Sequence, residues 1–227
     1  MQTIIGQEGF RDVQSLSEIK QQLAAMVEST LGPLGFVVPK GGSTWHRKRC
    51  EDFLDVVVVN TLEDAPGEPV RGNVRLSIHC EKLERLTSAV TGQKYTLIRP
   101  TFTTYISYVM PEKIFRSWHF DREQEHFDAE TARSLCQAII EYGFPWFQQY
   151  TSLESLRSGI QQYGLRRDVA FALILLEETL GNRASAVSLA RAEIAKLESR
   201  PALGAGERQE LEHLKKALDY LRGREQA

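Results

Sequence analysis

The chain has 227 residues, 42% of them hydrophobic and 26% charged, with a formal net charge of −2 at pH 7. This is ordinary globular composition, in a chain long enough to bury roughly 70–75% of its unfolded surface. It argues against a dedicated nucleic-acid binder, which carries a basic excess or a strongly basic face. The longest apolar run, Phe171–Leu176, is far short of the roughly 20 residues that a membrane-spanning helix needs. The opening residues hold no basic region followed by an apolar stretch of signal-peptide length. Cys50, Cys80 and Cys136 stand far apart without a CxxC pair, which points to reduced thiols rather than a disulfide framework or zinc site. A cytoplasmic protein with no membrane partner is the expectation.

In chain order, the first predicted element is a helix over Leu16–Leu31. Ser15 and Glu18 have capping-box spacing. Leu16, Ile19, Leu23, Met26, Val27 and Leu31 recur at helical intervals, and Gly32-Pro33 closes the pattern. Strands follow at Phe36–Val38, Thr44–Arg49, Leu54–Thr61, Asn73–Cys80 and Thr101–Met110. Leu54–Val59 is apolar on both faces and reads as a central strand covered by helices. Pro39–Thr44 reads as a hairpin turn, Glu63–Gly72 as a loop, and Glu81–Val90 as a short helix.

After Asp128 the pattern is helical. Asp128 caps a helix reaching Tyr142, Gly143 stops it, and Pro145 opens a turn that carries Trp146 and Phe147. Thr151 and Glu154 form a second capping-box pair ahead of Leu153, Leu156, Ile160 and Tyr163. Arg166–Leu180 is apolar nearly all round at its centre and belongs in the interior. Ala184–Glu198 and Glu207–Leu221 complete the chain. The expected fold is α+β: a mostly antiparallel sheet of about five strands, packed by the Leu16–Leu31 and Asp128–Tyr142 helices. The expected division is a sheet domain over 1–163 and a helical extension over 164–227.

Reactive residues are sparse. His-Phe-Asp occurs twice, at His119-Phe120-Asp121 and His126-Phe127-Asp128. Along a strand His119 and Asp121 point the same way, and a turn can bring His126 beside them. Such a set suits zinc, manganese or iron, and therefore a metal-dependent hydrolase. Against it, Asp128 is accounted for as a helix cap and His126 lies in a charged loop. Otherwise no metal, cofactor or catalytic set is expected. His46–Arg49 is the one basic cluster, split by strand alternation into Trp45, Arg47 and Arg49 on one face and His46 and Lys48 on the other. No nucleic-acid partner is expected. Cys80 cannot readily pair with adjacent His79, which faces the opposite way. Asp55, among valines, is a buried carboxylate or a partner of Arg47 or Arg75. Trp45, Arg47, Tyr105 and Trp118 are the candidate partner-binding residues, because Trp, Tyr and Arg predominate among energetic hot spots.

Several short motifs carry a resemblance: the first amphipathic helix, Leu34-Gly35-Phe36, Thr44-Trp45-His46-Arg47, the strands Leu54–Thr61 and Val74–His79, and Gly143-Phe144-Pro145-Trp146-Phe147. Over about residues 16–163 the order is similar to an uncharacterised family of bacterial α+β domains. In those domains a Gly-Phe opens a hairpin, an aromatic-x-Arg follows, and a Pro-Trp turn precedes a final helix. The resemblance carries over no catalytic residues. Some small bacterial α+β proteins of this look act as immunity proteins, an analogy at the level of fold. The functional expectation is therefore a protein-binding domain that neutralises a cognate toxin by occluding its active site. The alternatives are the metal-dependent hydrolase and an adaptor that binds through its C-terminal helices.

Overall fold

The computed structural model describes residues 14–38, 42–96, 99–122, 126–163 and 169–223. Parts of the expected Pro39–Thr44 turn and the start of the helix expected from Arg166 lie outside them. Helix α1 (Leu16–Leu31) begins on the reciprocal cap: Glu18 N–H donates to Ser15 Oγ at 3.2 Å and Ser15 N–H to Glu18 Oε2 at 2.7 Å. That backbone bond from Ser15, then its side chain, holds the Glu18 carboxyl below its ordinary pKa. Ile19, Leu23, Val27 and Leu31 form the buried stripe of α1.

The sheet is antiparallel throughout. Strands β1 (Thr44–Lys48), β2 (Phe53–Leu62) and β3 (Val70–Cys80) lie side by side. The far edge of β3 is shared by β4 (Phe102–Tyr105), along its second half, and β5 (Trp118–Phe120), along its start. Expected Phe36–Val38 contributes only a bridge between Val37 and His46. The strand expected over Thr101–Met110 ends at Tyr105, where a 3-10 turn over Ile106–Tyr108 takes over.

Strand alternation sorts the side chains. Trp45, Val57, Leu76, Ile78, Phe102, Trp118 and Phe120 face one side and are buried together with the apolar stripes of α1 and α3 (Ala129–Ala138). His46, Arg71, Arg75, Tyr105 and His119 take the opposite face, where Leu54, Val56 and Val58 form a small separate buried cluster.

Asp128 caps α3, accepting from Thr131 N–H at 2.9 Å. The chain does not stop at Gly143. It continues through a π turn, in which Phe144 N–H donates to the Ile139 carbonyl oxygen, into α4 (Phe144–Gln149). Two features make this possible. Pro145 stands in the first turn of α4, where a missing N–H costs least. Gly143 meets the sheet so closely that a Cβ there would lie 3.2 Å from Leu76 Cδ2. Helix α5 (Leu153–Tyr163) starts one residue later than the expected cap, with Ser152 and Ser155 exchanging hydrogen bonds in place of Thr151 and Glu154.

Helix α2 (Glu81–Thr91) links the sheet to α6 (Val169–Thr179) and α8 (Ala205–Gly223), with α7 (Arg183–Glu198) between them in the chain. Phe171, Ala172, Ile174, Leu175 and Leu176 of α6 are buried, as expected for a helix apolar on all sides. One hydrophobic cluster runs without a break from Trp45 to Leu221. Helix α5 touches β4 through Gly159, where a Cβ would stand 2.4 Å from Tyr150 Cε1 and 2.9 Å from Phe102 Cε1. Alanine is favoured over glycine by about 1 kcal/mol in a helix, but here the rings must move. Gly159→Ala is expected to destabilise the fold by about 1–3 kcal/mol net. A raised thermal midpoint in this variant would contradict the packing described.

Candidate functional site

Two of the four candidate binding residues are core residues. Trp45 is 1% exposed and Trp118 4%, so neither indole can meet a partner on this surface. Their place follows from register: Trp45 pairs with Val57, and Trp118 pairs with Gly72, on the helix-covered face. Trp118 Nε1 lies 3.4 Å from Ser134 Oγ of α3.

Arg47 has a structural assignment. Its Nη2 lies 2.6 Å and its Nε 3.2 Å from Asp55 Oδ2. Its guanidinium carbon sits 4.9 Å from the ring centroids of both Phe36 and Phe144, a geometry that adds cation–π attraction to the ion pair. Arg49 Nε faces Asp55 Oδ1 at 3.5 Å, and its terminal nitrogens donate to the Phe147 and Tyr150 carbonyl oxygens at the end of α4. The basic cluster is therefore half inward. Arg47 and Arg49 serve a buried carboxylate and a helix end, while His46 and Lys48 face the other side. Arg75 stands on that other side too, so it is not the partner of Asp55.

The expected metal set is not assembled. His119 is exposed beside Arg71, and β5 ends at Phe120, one residue short of Asp121. His126 is exposed in the approach to α3. No group of three or more His, Cys, Asp or Glu among the described residues is arranged to hold a metal ion.

His79 and Cys80 face opposite sides of β3. His79 is fully buried; its Nδ1 donates to the Arg99 carbonyl oxygen at 2.6 Å, and Nε2 meets the Tyr95 hydroxyl at 3.1 Å. Both ring nitrogens are committed. Burial pushes the Cys80 thiol up to about 11 and also raises that of Cys136, which leaves neither as a thiolate near neutrality. Cys50 is exposed. Native protein at pH 8 is expected to give one fast thiol towards an aromatic disulfide reagent and two more only on unfolding. Three fast thiols would contradict this burial.

Tyr105 is the candidate that reaches the surface. Its ring stands edge-on to Tyr108 at 6.3 Å and to Phe115 at 5.4 Å. Ile114 is 65% exposed and Phe115 50%. Lys113 precedes them with φ +51, a left-handed backbone that is uncommon outside glycine, and its N–H donates to the Met110 carbonyl oxygen at 3.1 Å. Arg75 lies beside Tyr105 in the ladder and is partly exposed. The result is an aromatic and apolar patch outside the core. Pro111-Glu112-Lys113-Ile114-Phe115 carried the available signal: an apolar pair with neither helical nor strand period has no core face to join.

No described helix is long and apolar enough to cross a membrane. Comparison with protein-family models, with curated proteins and with solved structures finds no match to this chain.

Proposed function

We propose that the chain is a protein-binding module acting by contact rather than by catalysis, with Tyr105, Tyr108, Ile114 and Phe115 at the centre of its contact surface. The observation that carries this reading is the exposure of that cluster. Large apolar side chains cost free energy in water at about 25 cal/mol per Å² of apolar area, and a partner that covers them recovers it. Tyr and Arg are favoured among interface hot spots, and Arg75 adjoins the patch. In its most specific form the chain is a cytoplasmic immunity protein that binds a cognate toxin domain and occludes its active site.

The adaptor alternative has less to stand on. Leu214, Ala217, Leu218 and Leu221, the apolar stripe of α8, are buried within the molecule. The test is capture from a lysate of the source organism, with tagged wild type and tagged Ile114→Ser/Phe115→Ser compared by quantitative mass spectrometry. The expected result is one stoichiometric protein retained by wild type and lost by the variant. The same protein recovered equally by both would remove the patch from the interface. A toxin domain in the eluate would support the specific form.

A further inference from the structure

The strands turn basic side chains and no acidic one to the outer face of the sheet, away from α1 and α3: His46, Lys48, Arg71, Arg75, His79 and His119. Asp55, the one acidic residue in the described strands, lies on the helix side with Arg47 and Arg49. Arg71 is paired with Asp64, and His79 commits both ring nitrogens to Arg99 and Tyr95. Arg75 has no such partner. It forms no ion pair among the described residues, and its Nε is buried without a hydrogen-bond partner although the side chain remains partly exposed. Buried N–H groups are nearly always paired, so a guanidinium left this way at the surface is poised for an acceptor from outside.

Its surroundings define the acceptor. Tyr105 stands directly opposite Arg75 in the ladder, close enough for the two side chains to meet, and its ring leads on to Tyr108 and Phe115. Lys113 and Arg116 flank exposed Ile114 and Phe115, are themselves exposed, and form no ion pair among the described residues. Glu112 is the one acidic residue in 111–117. An apolar centre is therefore bordered by Arg75, Lys113 and Arg116 against a single carboxylate. A neutral partner closing over it would bury those charges unmatched, which is costly. A partner with carboxylates in register matches them and is steered to the site. Nucleic acid and anionic lipid repeat their charge over many positions. Three cations around one apolar centre, in a chain of net charge −2, suit a protein surface better.

We infer that Arg75 is the charge-recognising residue of the contact surface, receiving a carboxylate of the protein partner while a neighbouring apolar side chain of that partner lies on Tyr105, Tyr108 and Phe115. The planar fork of the guanidinium takes both carboxylate oxygens at once, which fixes the partner's orientation as well as its charge. Lys113 and Arg116 lie at the rim, where charges act on encounter more than on the strength of the closed contact. The inference rests on the protein-binding reading and supplies the chemistry of the partner's face.

The probes are phenylbutyrate and phenylbutylamine, which share an apolar body and differ in the sign of their charge. Each is titrated into the full isotope-labelled chain and followed by the backbone amide shifts. The carboxylate is expected to shift the signals of Arg75, Tyr105 and Phe115 and to bind about tenfold tighter than the amine. Arg75→Gln is expected to remove that preference, and Arg75→Lys to keep part of it, since the charge remains without the fork. The captured partner is expected to bind Arg75→Gln about tenfold more weakly than wild type. The comparison of probes on wild type does not depend on how the variants fold. Equal binding of the two probes, or of neither, overturns the inference, as does a preference that survives in Arg75→Gln. Retention of the chain on phosphatidylserine vesicles or a single-stranded oligonucleotide, lost in Arg75→Gln, also overturns it by giving the anion to lipid or nucleic acid. If Ile114→Ser/Phe115→Ser still loses its captured protein in any of these cases, protein binding stands and only the acidic form of the partner falls.

Discussion

Asp55→Ala is expected to destabilise the protein by about 3 kcal/mol, the lower end of the 3–5 kcal/mol typical for removing one partner of a buried ion pair. The lower end applies because the two guanidiniums keep some contact with water, at 24% exposure for Arg47 and 17% for Arg49, while Asp55 has none. Removing the carboxylate leaves two positive charges facing one another beneath Phe36, Phe53 and Phe144. Arg49 also holds the end of α4, so the damage spreads to the contact between sheet and helix. Denaturation in urea should show a lowered midpoint with an unchanged slope. A double-mutant cycle with Arg47→Ala should return a coupling well above the 0.3–0.5 kcal/mol expected of independent sites. Additive losses would show that the pair contributes nothing as a pair.

Trp146→Ala is the second large effect, about 3–5 kcal/mol by the usual cost of truncating a buried aromatic. Trp146 packs against Phe102 at 5.3 Å, Phe147 at 5.3 Å and Tyr150 at 5.2 Å. Those rings join β4 to α4 and its C-cap, and Phe102 and Tyr150 also pack against Gly159 of α5, the seam between the sheet and the later helices. Because one apolar cluster continues from this seam to α8, the loss should appear as a single thermal transition displaced to lower temperature. Two separated transitions would show that the later helices hold together without the seam.

Much of the fold is legible in the residues, since local chemistry and packing agree there. Ser15 and Glu18 cap α1, Asp128 caps α3, and the valines of β2 lie inside the sheet as their alternation requires. The π turn was not legible. Gly143 and Pro145 ordinarily mark helix boundaries, and only the structure shows Gly143 set too close to Leu76 for a Cβ and Pro145 in the first turn of α4. The site was less legible for a related reason. Trp45 and Trp118 have interface-favoured side chains, but register decides which face they take, and register is a property of strand pairs. The same pairing sets Arg47 directly opposite Asp55, which makes a structural ion pair out of a candidate contact residue. Tyr105 takes the face away from the helices because pairing in β4 sets it beside Arg75, whereas Tyr108, Ile114 and Phe115 join it only through the 3-10 turn and the left-handed Lys113.

The most direct test of the contact surface is the affinity of the purified captured partner for wild type and for Phe115→Ala, measured by titration calorimetry. Phe115 is half-exposed and outside the core, so its truncation should leave the circular dichroism spectrum unchanged. A contact-surface centre predicts at least a tenfold rise in Kd, about 1.4 kcal/mol. An unchanged Kd with an intact fold would place the binding surface elsewhere on the molecule.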